Sequence, residues 1–248
     1  MFFIAVTEIK ALDPQKNITQ YFLSIWRNER GLPINTILYL LQDHSRYLWL
    51  GTNNGLVRFD GMNFVLFDSK NTEALGDGFI NTLYEDRQGI LWCGTYHGNL
   101  IKLEHGKFIR QQLTLSGSSR NINAIAEDAQ GNLWIGVTKG LICKPAGLAD
   151  RYFEDAAFAG EKVVDFLNDS SGHLWLSTHT KGLFRRERGQ WRHVALPGAN
   201  FNSLINVIYQ TRDGRLLIGT ENGVYVLKDN KMDHIVLFID IIRRQENY

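Results

Sequence analysis

Residues 122–137 read INAIAEDAQGNLWIGV. A related stretch occurs four more times along the 248 residues, and each copy is centred on a Leu-Trp-x-Gly-Thr segment or a close variant of it. The centres are LWLGT at 48–52, LWCGT at 91–95, LWIGV at 133–137, LWLST at 174–178 and LLIGT at 216–220. Their second positions follow one another at intervals of 43, 42, 41 and 42 residues. This period is typical of repeats of four short strands and fits two-helix repeats poorly.

Each repeat reads as an inner strand, a tight turn and a second strand that contains the Trp. A β-branched residue stands twelve positions before the Trp and opens the inner strand. An Asp six positions before the Trp can cap the amides of the turn, and a Gly three positions before it can supply the positive φ. The aspartates are Asp43, Asp86, Asp128 and Asp169, and the glycines are Gly89, Gly131, Gly172 and Gly214. Arg46 replaces the Gly in the first repeat, and Thr211 replaces the Asp in the fifth.

A third strand and a hairpin to a fourth, outer strand complete each repeat. The outer strand carries an aromatic residue in four repeats, namely Phe64, Phe108, Phe153 and Trp191. The strands are apolar on both faces around Trp49, Trp92, Trp134 and Trp175, as expected for sheets that neighbouring sheets cover on both sides. The predicted fold is therefore an all-β β-propeller of four-stranded antiparallel blades, with about five blades present.

The repeat also predicts the domain boundaries. We expect an N-terminal extension at 1–17, propeller repeats over 18–240 and a C-terminal tail at 241–248. The blades are expected at about 34–68, 78–113, 121–155, 162–196 and 204–238. Residues 18–27 resemble an extra outer strand, because Phe22 precedes Trp49 by nearly the distance that separates Phe64 from Trp92. Six outer strands against five inner sets favour an incomplete ring, whose exposed end faces would promote self-association or dimer formation. A closed five-bladed ring is the alternative.

The charge balance excludes several classes of partner. The 27 Lys and Arg residues nearly equal the 26 Asp and Glu residues, so no strong field attracts nucleic acid or an anionic membrane. The apolar stretches at 1–6 and 235–242 are too short to cross a bilayer, and the first lacks the basic leader of a secretion signal. We therefore expect no nucleic acid and no direct membrane insertion.

Cys93 and Cys143 stand 50 positions apart and are predicted to be small core residues.

The repeats resemble those of the two-component regulator propeller family, whose pattern is approximately I-x-x-I-x-E-D-x-x-G-x-L-W-I-G-T-x-x-G-L. Residues 122–141 follow this pattern closely. Three centres depart from it, with Leu217 in place of Trp, Ser177 in place of Gly and Val137 in place of Thr. The resemblance implies the sensor region of a bacterial signalling receptor, placed in the periplasm or otherwise outside the cytoplasm. It also implies a histidine kinase or diguanylate cyclase as the output domain beyond the membrane, and this sequence contains neither.

The loops between second and third strands vary from repeat to repeat, whereas the turns and the Trp positions stay fixed. In a propeller these loops share one rim with the loops that lead into the inner strands, so this rim is the predicted binding surface. Its aromatic and hydrogen-bonding side chains suit a small molecule or an oligosaccharide. The candidate ligand-binding residues are Asn53, Asn54, Tyr96, His97, Lys139, His179, Lys181, Glu221 and Asn222.

Three other groups of residues were considered as a metal site, a nucleotide-binding loop and a basic surface, and none of them fits well. His97 and His179 lack the spacing of a metal site, and we predict no metal. Gly76-Asp77-Gly78 lacks the rest of a nucleotide-binding loop, and we predict no cofactor. A basic hairpin around Trp191 is interpreted as a solvated turn, and it contains Arg185, Arg186, Arg188 and Arg192.

The leading hypothesis is a ligand-sensing propeller without enzymatic activity, which recognises a carbohydrate or another small nutrient. A protein-interaction scaffold is the first alternative. A propeller lyase or hydrolase is the second, because His97, His179 and Glu221 are predicted on one rim, but no base-and-nucleophile set can be recognised among them.

Overall fold

The computed structural model describes residues 25–27, 31–113, 121–148, 151–196, 204–228 and 231–235. These residues form five antiparallel sheets of four strands each, and in every sheet the strands follow one another in chain order. Two single-turn 3-10 helices, Glu73–Leu75 and Ala156–Phe158, lie between sheets. The predicted fold class, an all-β propeller of about five four-stranded blades, is confirmed.

The blades have the following strands, from the innermost to the outermost. Blade 1 contains β1 (Ile37–Gln42), β2 (Leu48–Thr52), β3 (Gly55–Phe59) and β4 (Phe64–Phe67). Blade 2 contains β5 (Ile80–Glu85), β6 (Leu91–Thr95), β7 (Leu100–Glu104) and β8 (Lys107–Gln111). Blade 3 contains β9 (Ile122–Glu127), β10 (Leu133–Val137), β11 (Gly140–Lys144) and β12 (Phe153–Glu154). Blade 4 contains β13 (Val163–Asn168), β14 (Leu174–Thr178), β15 (Leu183–Glu187) and β16 (Gln190–Val194). Blade 5 contains β17 (Ile205–Gln210), β18 (Leu216–Thr220), β19 (Gly223–Lys228) and β20 (Lys231–Ile235).

The D-x-x-G turn between the first two strands forms as predicted. In blade 3, Asp128 Oδ1 accepts hydrogen bonds from the amides of Gln130 (3.0 Å) and Asn132 (2.9 Å), and Gly131 has a φ of 81°. In blade 1, Arg46 takes the glycine position with a φ of 69°. In blade 5, the hydroxyl of Thr211 replaces the carboxylate and accepts from the Arg215 amide at 3.0 Å.

Each Trp also binds the Asp of its own turn, a contact that the repeat pattern did not predict. The indole Nε1 donates to the Asp Oδ2 at 2.7 Å in blade 1 and at 2.8 Å in blades 2, 3 and 4. The four Trp rings are buried and pack against the following blade, as Trp49 does against Leu83 and Ile101. Each Trp therefore joins a turn to a core that two blades share.

The glycine of each second strand allows the next blade to approach closely. A Cβ on Gly51 would lie 3.0 Å from Cγ2 of Ile80, the first residue of β5. At Gly94 and Gly136 a Cβ would collide with Ile122 and Val163, the first residues of β9 and β13. The β-branched residue that opens each inner strand is therefore a knob that packs into a glycine socket of the preceding blade.

The described residues form an open arc. Extensive packing joins β1 to β5, β5 to β9, β9 to β13 and β13 to β17, but within the described residues β1 and β17 do not pack against each other in this way. The inner strand of blade 1 is exposed along most of its length. Of the extra outer strand expected at 18–27, residues 25–27 have no strand conformation, and 18–24 lie outside the described residues.

The remaining predictions about the core hold for most residues. Phe64, Phe108 and Trp191 pack against the cores, whereas Phe153 is half exposed on a strand of two residues. Cys93 is buried, and both cysteines are free. Within the described ranges there is no helix with the length and hydropathy needed to span a bilayer.

Candidate functional site

The variable loops lie on one rim of the arc. In blades 2 to 5 the first residue after the second strand donates its amide to the carbonyl of the residue just before the inner strand. These bonds are Tyr96 to Phe79 (2.9 Å), Thr138 to Asn121 (3.1 Å), His179 to Lys162 (2.9 Å) and Glu221 to Leu204 (3.2 Å). The loop that follows the second strand and the loop that enters the inner strand therefore stand side by side in each of these blades. All nine candidate residues are exposed on this rim.

An aromatic patch lies on the rim of blade 2. The ring of Tyr96 is 44% exposed and packs against Phe79, with 4.9 Å between the ring centroids. His97 meets the Tyr96 ring edge-on at 5.3 Å, and its Nδ1 forms an ion pair with the carboxylate of Asp77. The patch thus presents an aromatic surface beside a carboxylate and an imidazole, with opposite charges paired when the imidazole is protonated.

The turn of blade 1 adjoins this patch. A Cβ on Gly78 would lie 3.2 Å from the Gly55 amide and 3.5 Å from the Asn54 carbonyl oxygen, so Gly78 lies directly against the end of the Asn53-Asn54 turn. The Asn54 amide donates to Thr52 Oγ1 at 3.2 Å, which fixes the turn. We refer to Asn53, Asn54, Asp77, Phe79, Tyr96 and His97 as the blade 1–2 patch.

A second patch forms between blades 3 and 4. The buried carboxylate of Glu161 accepts from the Thr180 amide at 2.6 Å and from the Thr180 hydroxyl at 2.5 Å. Lys181 Nζ donates to the Ala157 carbonyl at 2.7 Å, and Lys139 accepts through its carbonyl from the Gly160 amide at 3.2 Å. We refer to Lys139, Glu161, His179, Thr180 and Lys181 as the blade 3–4 patch. The charged groups of Glu161 and Lys181 bind neighbouring loop segments, so these two side chains hold the patch together.

The nine candidate residues therefore fall into three groups along the rim. The blade 1–2 patch contains four of them and the blade 3–4 patch contains three. Glu221 and Asn222 lie on blade 5, where the Asn222 amide donates to Thr220 Oγ1 at 3.2 Å. Among the residues that the structure describes, no hydrogen bond connects the blade 1–2 patch with the blade 3–4 patch, and no three His, Cys, Asp or Glu side chains are placed to hold a metal ion.

The interpretation of the basic hairpin as a solvated turn is wrong for Arg186. Its side chain is only 14% exposed, and its guanidinium lies 4.2 Å from the Trp134 ring centroid and 5.3 Å from that of Trp191. Its Nε donates to Asp128 Oδ2 at 3.2 Å. A cavity of about 460 Å³ opens beside these groups on the opposite rim. β15 reads Leu183-Phe184-Arg185-Arg186-Glu187, and because successive side chains of a strand point to opposite faces, its two adjacent arginines were the sequence signal that one of them faces a neighbouring blade.

Asp165 is a second residue whose position the sequence did not predict. It lies on the inner strand β13 and accepts from the Phe166 amide (2.8 Å) and from the Ile208 amide of blade 5 (3.0 Å). Burial raises the pKa of Asp165, although these two amides oppose the shift. Burial also raises the pKa of Tyr39 on blade 1, and the charge of Asp165 raises it further. Tyr39 and Asp165 lie on the inner strands β1 and β13.

Comparison with known proteins identifies the repeat. The two component regulator propeller model matches residues 31–54, 74–97 and 116–139, which contain the inner strand, the turn and the Trp strand of blades 1, 2 and 3. Blades 4 and 5 carry the strongest departures from the pattern, Ser177 for Gly and Leu217 for Trp. No curated protein sequence matches the chain.

Solved structures of low sequence identity share the fold. The extracellular domain of BT4673 from B. thetaiotaomicron, described both as a one component and as a hybrid two component system, has a TM-score of 0.66 at 23% identity. That match covers 80% of this chain but only 28% of the BT4673 domain. A streptogramin B lyase has a TM-score of 0.67 at 17% identity, covering 83% of this chain and 70% of the lyase. A virginiamycin B lyase from Staphylococcus aureus has a TM-score of 0.64 at 13% identity, covering 80% of this chain and 69% of that one. At these identities the likeness establishes the fold alone, and the family model identifies the repeats. The chain is therefore a β-propeller, and three of its five repeats match the two component regulator propeller model.

Proposed function

We propose that this chain is a ligand-sensing region of a bacterial two-component or related transmembrane signalling receptor and has no catalytic activity of its own. Two observations support the proposal. Three repeats match the two component regulator propeller model, and a solved structure of the same fold is the extracellular domain of a signalling protein. We further propose that the sensing region lies outside the cytoplasm and that a histidine kinase or diguanylate cyclase supplies the output.

The blade 1–2 patch is the proposed ligand site, and the ligand class is a carbohydrate or another small polyhydroxylated nutrient. The observation that carries this proposal is the exposed ring of Tyr96, which Phe79 supports from behind and His97 contacts at its edge. A rigidly held aromatic face can stack against the apolar face of a sugar ring. The Asp77 carboxylate and the amides of Asn53 and Asn54 can exchange hydrogen bonds with hydroxyl groups around that ring.

The same patch offers a route from binding to signalling. Gly78 lies against Asn54 of blade 1, and the carbonyl of the next residue, Phe79, accepts a hydrogen bond from the Tyr96 amide of blade 2. A ligand held by both turns would change the free energy of the junction between blades 1 and 2. Because binding can shift only an equilibrium in which the two states differ in affinity, the signal would be a change in blade or dimer geometry.

A saccharide screen of the purified chain tests the site. We expect a soluble oligosaccharide to raise the midpoint of thermal unfolding by an amount that grows with the logarithm of its concentration relative to its dissociation constant. Replacing Tyr96 with Ala is expected to weaken binding about tenfold or more, equivalent to about 1.4 kcal/mol. Phe153→Ala is the matched control, since Phe153 is equally exposed but lies on the outer strand of blade 3.

The outcomes of this screen separate the candidate functions. If no soluble saccharide binds, the carbohydrate proposal fails. If a saccharide binds with equal affinity to the Tyr96→Ala variant, the site lies elsewhere on the chain. Cleavage of a bound saccharide would support the lyase or hydrolase alternative, and a bound protein partner that saccharides do not displace would support the scaffold alternative.

A further inference from the structure

The internal blade junctions share one set of contacts. At each junction, the β-branched residue that opens an inner strand is buried against the second strand of the preceding blade. Ile80 packs on Gly51, and Ile122 and Val163 pack on Gly94 and Gly136 in the same way. The junction with blade 5 follows the same plan with a serine, because Ile205 is buried and Ser177 holds the position of the glycine.

Hydrogen bonds between neighbouring blades also recur at these junctions. The side chain of Asn81 on blade 2 donates to the Ile122 carbonyl of blade 3 at 2.8 Å, and Asn123 donates to the Val163 carbonyl of blade 4 at 2.9 Å. A second kind of hydrogen bond has its acceptor on the following blade: the side chain of the last residue of an inner strand accepts from a backbone amide in the turn of the preceding blade. The Arg87 amide donates to Glu127 at 2.9 Å.

The same capping contact occurs at two other junctions. The His44 amide of blade 1 donates to Glu85 of blade 2 at 2.8 Å, and the Ser170 amide of blade 4 donates to Gln210 of blade 5 at 2.7 Å. A glutamine therefore serves as well as a glutamate at this position.

At two of the internal junctions, a hydrophobic residue seventeen positions before the Trp adds to the packing. Leu75 of the first 3-10 helix packs beside Trp49 of the preceding blade, and Phe158 of the second 3-10 helix packs beside Trp134. Leu32 holds the same position before blade 1 and covers Leu50 and Val57. Leu32 therefore packs on its own blade, whereas Leu75 and Phe158 pack beside the Trp of the preceding blade.

Blade 5 presents the receiving half of such a junction. A Cβ on Gly219 would meet only Val207 of the same blade, so within the described residues no knob enters this socket. The apolar side chains around it are exposed, with Tyr209 at 57% and Val207 at 49%. Asn206, at the position of Asn81 and Asn123, is also exposed.

Blade 1 presents the inserting half. Ile37, at the position of Ile80 and Ile122, is 45% exposed, although its counterparts are fully buried. Gln42, at the position of Gln210, is exposed at the other end of the same strand. The two ends of the arc therefore carry the complementary halves of the contact that recurs inside it.

We propose that blade 5 of one copy of this chain receives the inner strand of blade 1 of a second copy, head to tail. Ile37 of the second copy enters the Gly219 socket. Asn206 donates to the carbonyl of Ile37, and the Arg212 amide, which holds the position of Arg87, donates to Gln42. The internal junctions are the template for each of these contacts. Because the two surfaces differ, the contact is heterologous and can repeat from copy to copy.

Sedimentation velocity over a wide range of protein concentrations tests the proposal. The wild-type chain is expected to increase in mass beyond one copy as the concentration rises. Ile37→Glu places a charge in the apolar socket and is expected to raise the dissociation constant about tenfold or more. Asn206→Ala removes one hydrogen bond and is expected to raise it about fivefold. Both side chains are exposed within one copy, so the thermal midpoint should stay close to that of the wild type.

A mixing experiment tests the head-to-tail geometry. Gly219→Leu fills the socket but leaves the blade 1 end intact, whereas Ile37→Glu leaves the socket intact. Neither variant should associate alone, but an equimolar mixture should form a dimer that does not grow further. Met62→Glu is the control, because Met62 is an exposed apolar residue on a hairpin outside both surfaces.

Three outcomes would overturn the proposal. A monomer at every concentration would mean that one chain covers both of its own end faces. Association that Ile37→Glu and Gly219→Leu leave unchanged would place the contact on another surface. Failure of the two variants to form a dimer on mixing, while each prevents self-association, would exclude the head-to-tail arrangement.

Discussion

The indole Nε1 of Trp134 donates a hydrogen bond of 2.8 Å to Oδ2 of Asp128. Arg186 of the next blade donates to the same oxygen at 3.2 Å and covers the Trp134 ring. One carboxylate thus connects a turn, a buried aromatic ring and the outer half of the neighbouring blade. Asp128 is almost completely buried, so these donors replace the water that it would otherwise bind.

Removing the arginine should therefore destabilise the junction between blades 3 and 4. Replacing Arg186 with Met keeps much of the side-chain volume but leaves Asp128 with fewer donors, and we expect a loss of about 1–3 kcal/mol in the free energy of unfolding. Arg192→Met is the control in the same hairpin. Arg192 is largely exposed, and its loss should cost about 0.5 kcal/mol or less in urea denaturation. Equal losses for the two variants would contradict the structural role of Arg186.

The buried Trp of blade 2 is expected to be a major contributor to stability. Trp92→Ala should lower the free energy of unfolding by about 3–5 kcal/mol, because it leaves a cavity between blades 2 and 3 and removes the bond to Asp86. Trp26→Ala is the matched control, since Trp26 is 40% exposed and its ring packs edge-on against those of Phe59 and Phe64. Denaturant titration of both variants measures the difference, and an unchanged midpoint for Trp92→Ala would refute its buried role.

Arg46 is expected to reduce the stability of blade 1. It adopts a φ of 69° where Gly131 and the other turns have glycine, and a side chain at that φ costs about 1–2 kcal/mol. Arg46→Gly removes this cost, but glycine also has more conformational freedom in the unfolded chain, which offsets part of the stabilisation. The substitution should therefore raise the free energy of unfolding by about 0.5–1 kcal/mol.

The reverse change in blade 3 serves as the comparison. A Cβ on Gly131 would have no contact closer than 3.5 Å, so Gly131→Ala tests the backbone conformation without a steric clash. We expect it to lower stability by about 1 kcal/mol. If Arg46→Gly is destabilising in thermal or urea unfolding, the turn of blade 1 must differ from the others.

The turn of blade 4 should contribute stability that depends on pH. Burial alone would raise the pKa of Asp169, but hydrogen bonds from Trp175 Nε1 and the His173 amide hold it below its ordinary value. A carboxyl whose pKa is lowered on folding stabilises the protein fully above its unfolded pKa of about 3.9, and this stabilisation is lost as the pH falls through the folded pKa.

Asp169→Asn tests this dependence. The variant should be less stable than the wild type at neutral pH, and the difference should shrink as the pH falls below about 4. Thermal unfolding at several pH values measures it. A difference that stays constant down to the most acid pH would show that the ionised carboxylate is not what stabilises the turn.

The fold was predictable because its determinants lie close together in sequence and recur. Asp128, Gly131 and Trp134 form one short motif, and five copies with nearly constant spacing predict five equivalent sheets. The bond between Asp128 and Trp134 was not predicted, because a spacing of six residues places no two side chains together until the turn is known. The capping of one blade by Glu127 of the next likewise depends on how the sheets stack.

The candidate site was predictable only as a rim. Loop length and composition indicated which residues are exposed, and all nine candidates are exposed. Their grouping depends on residues 76–79 and 157–162, which connect the blades and which the repeat pattern does not include. Arg186 and Asp165 were missed because their neighbours, Trp134 and Ile208, come from other blades.

Hydrogen exchange of the tryptophan indoles is the most direct test of five sheets stacked through Trp–Asp contacts. The chain has six tryptophans, and an ¹⁵N-labelled sample should give six indole signals. Those of Trp49, Trp92, Trp134 and Trp175 should exchange slowly, because each N–H is buried and bound to an aspartate, whereas that of the exposed Trp26 should exchange rapidly. Rapid exchange of those four indoles under conditions where the protein is folded would contradict the architecture.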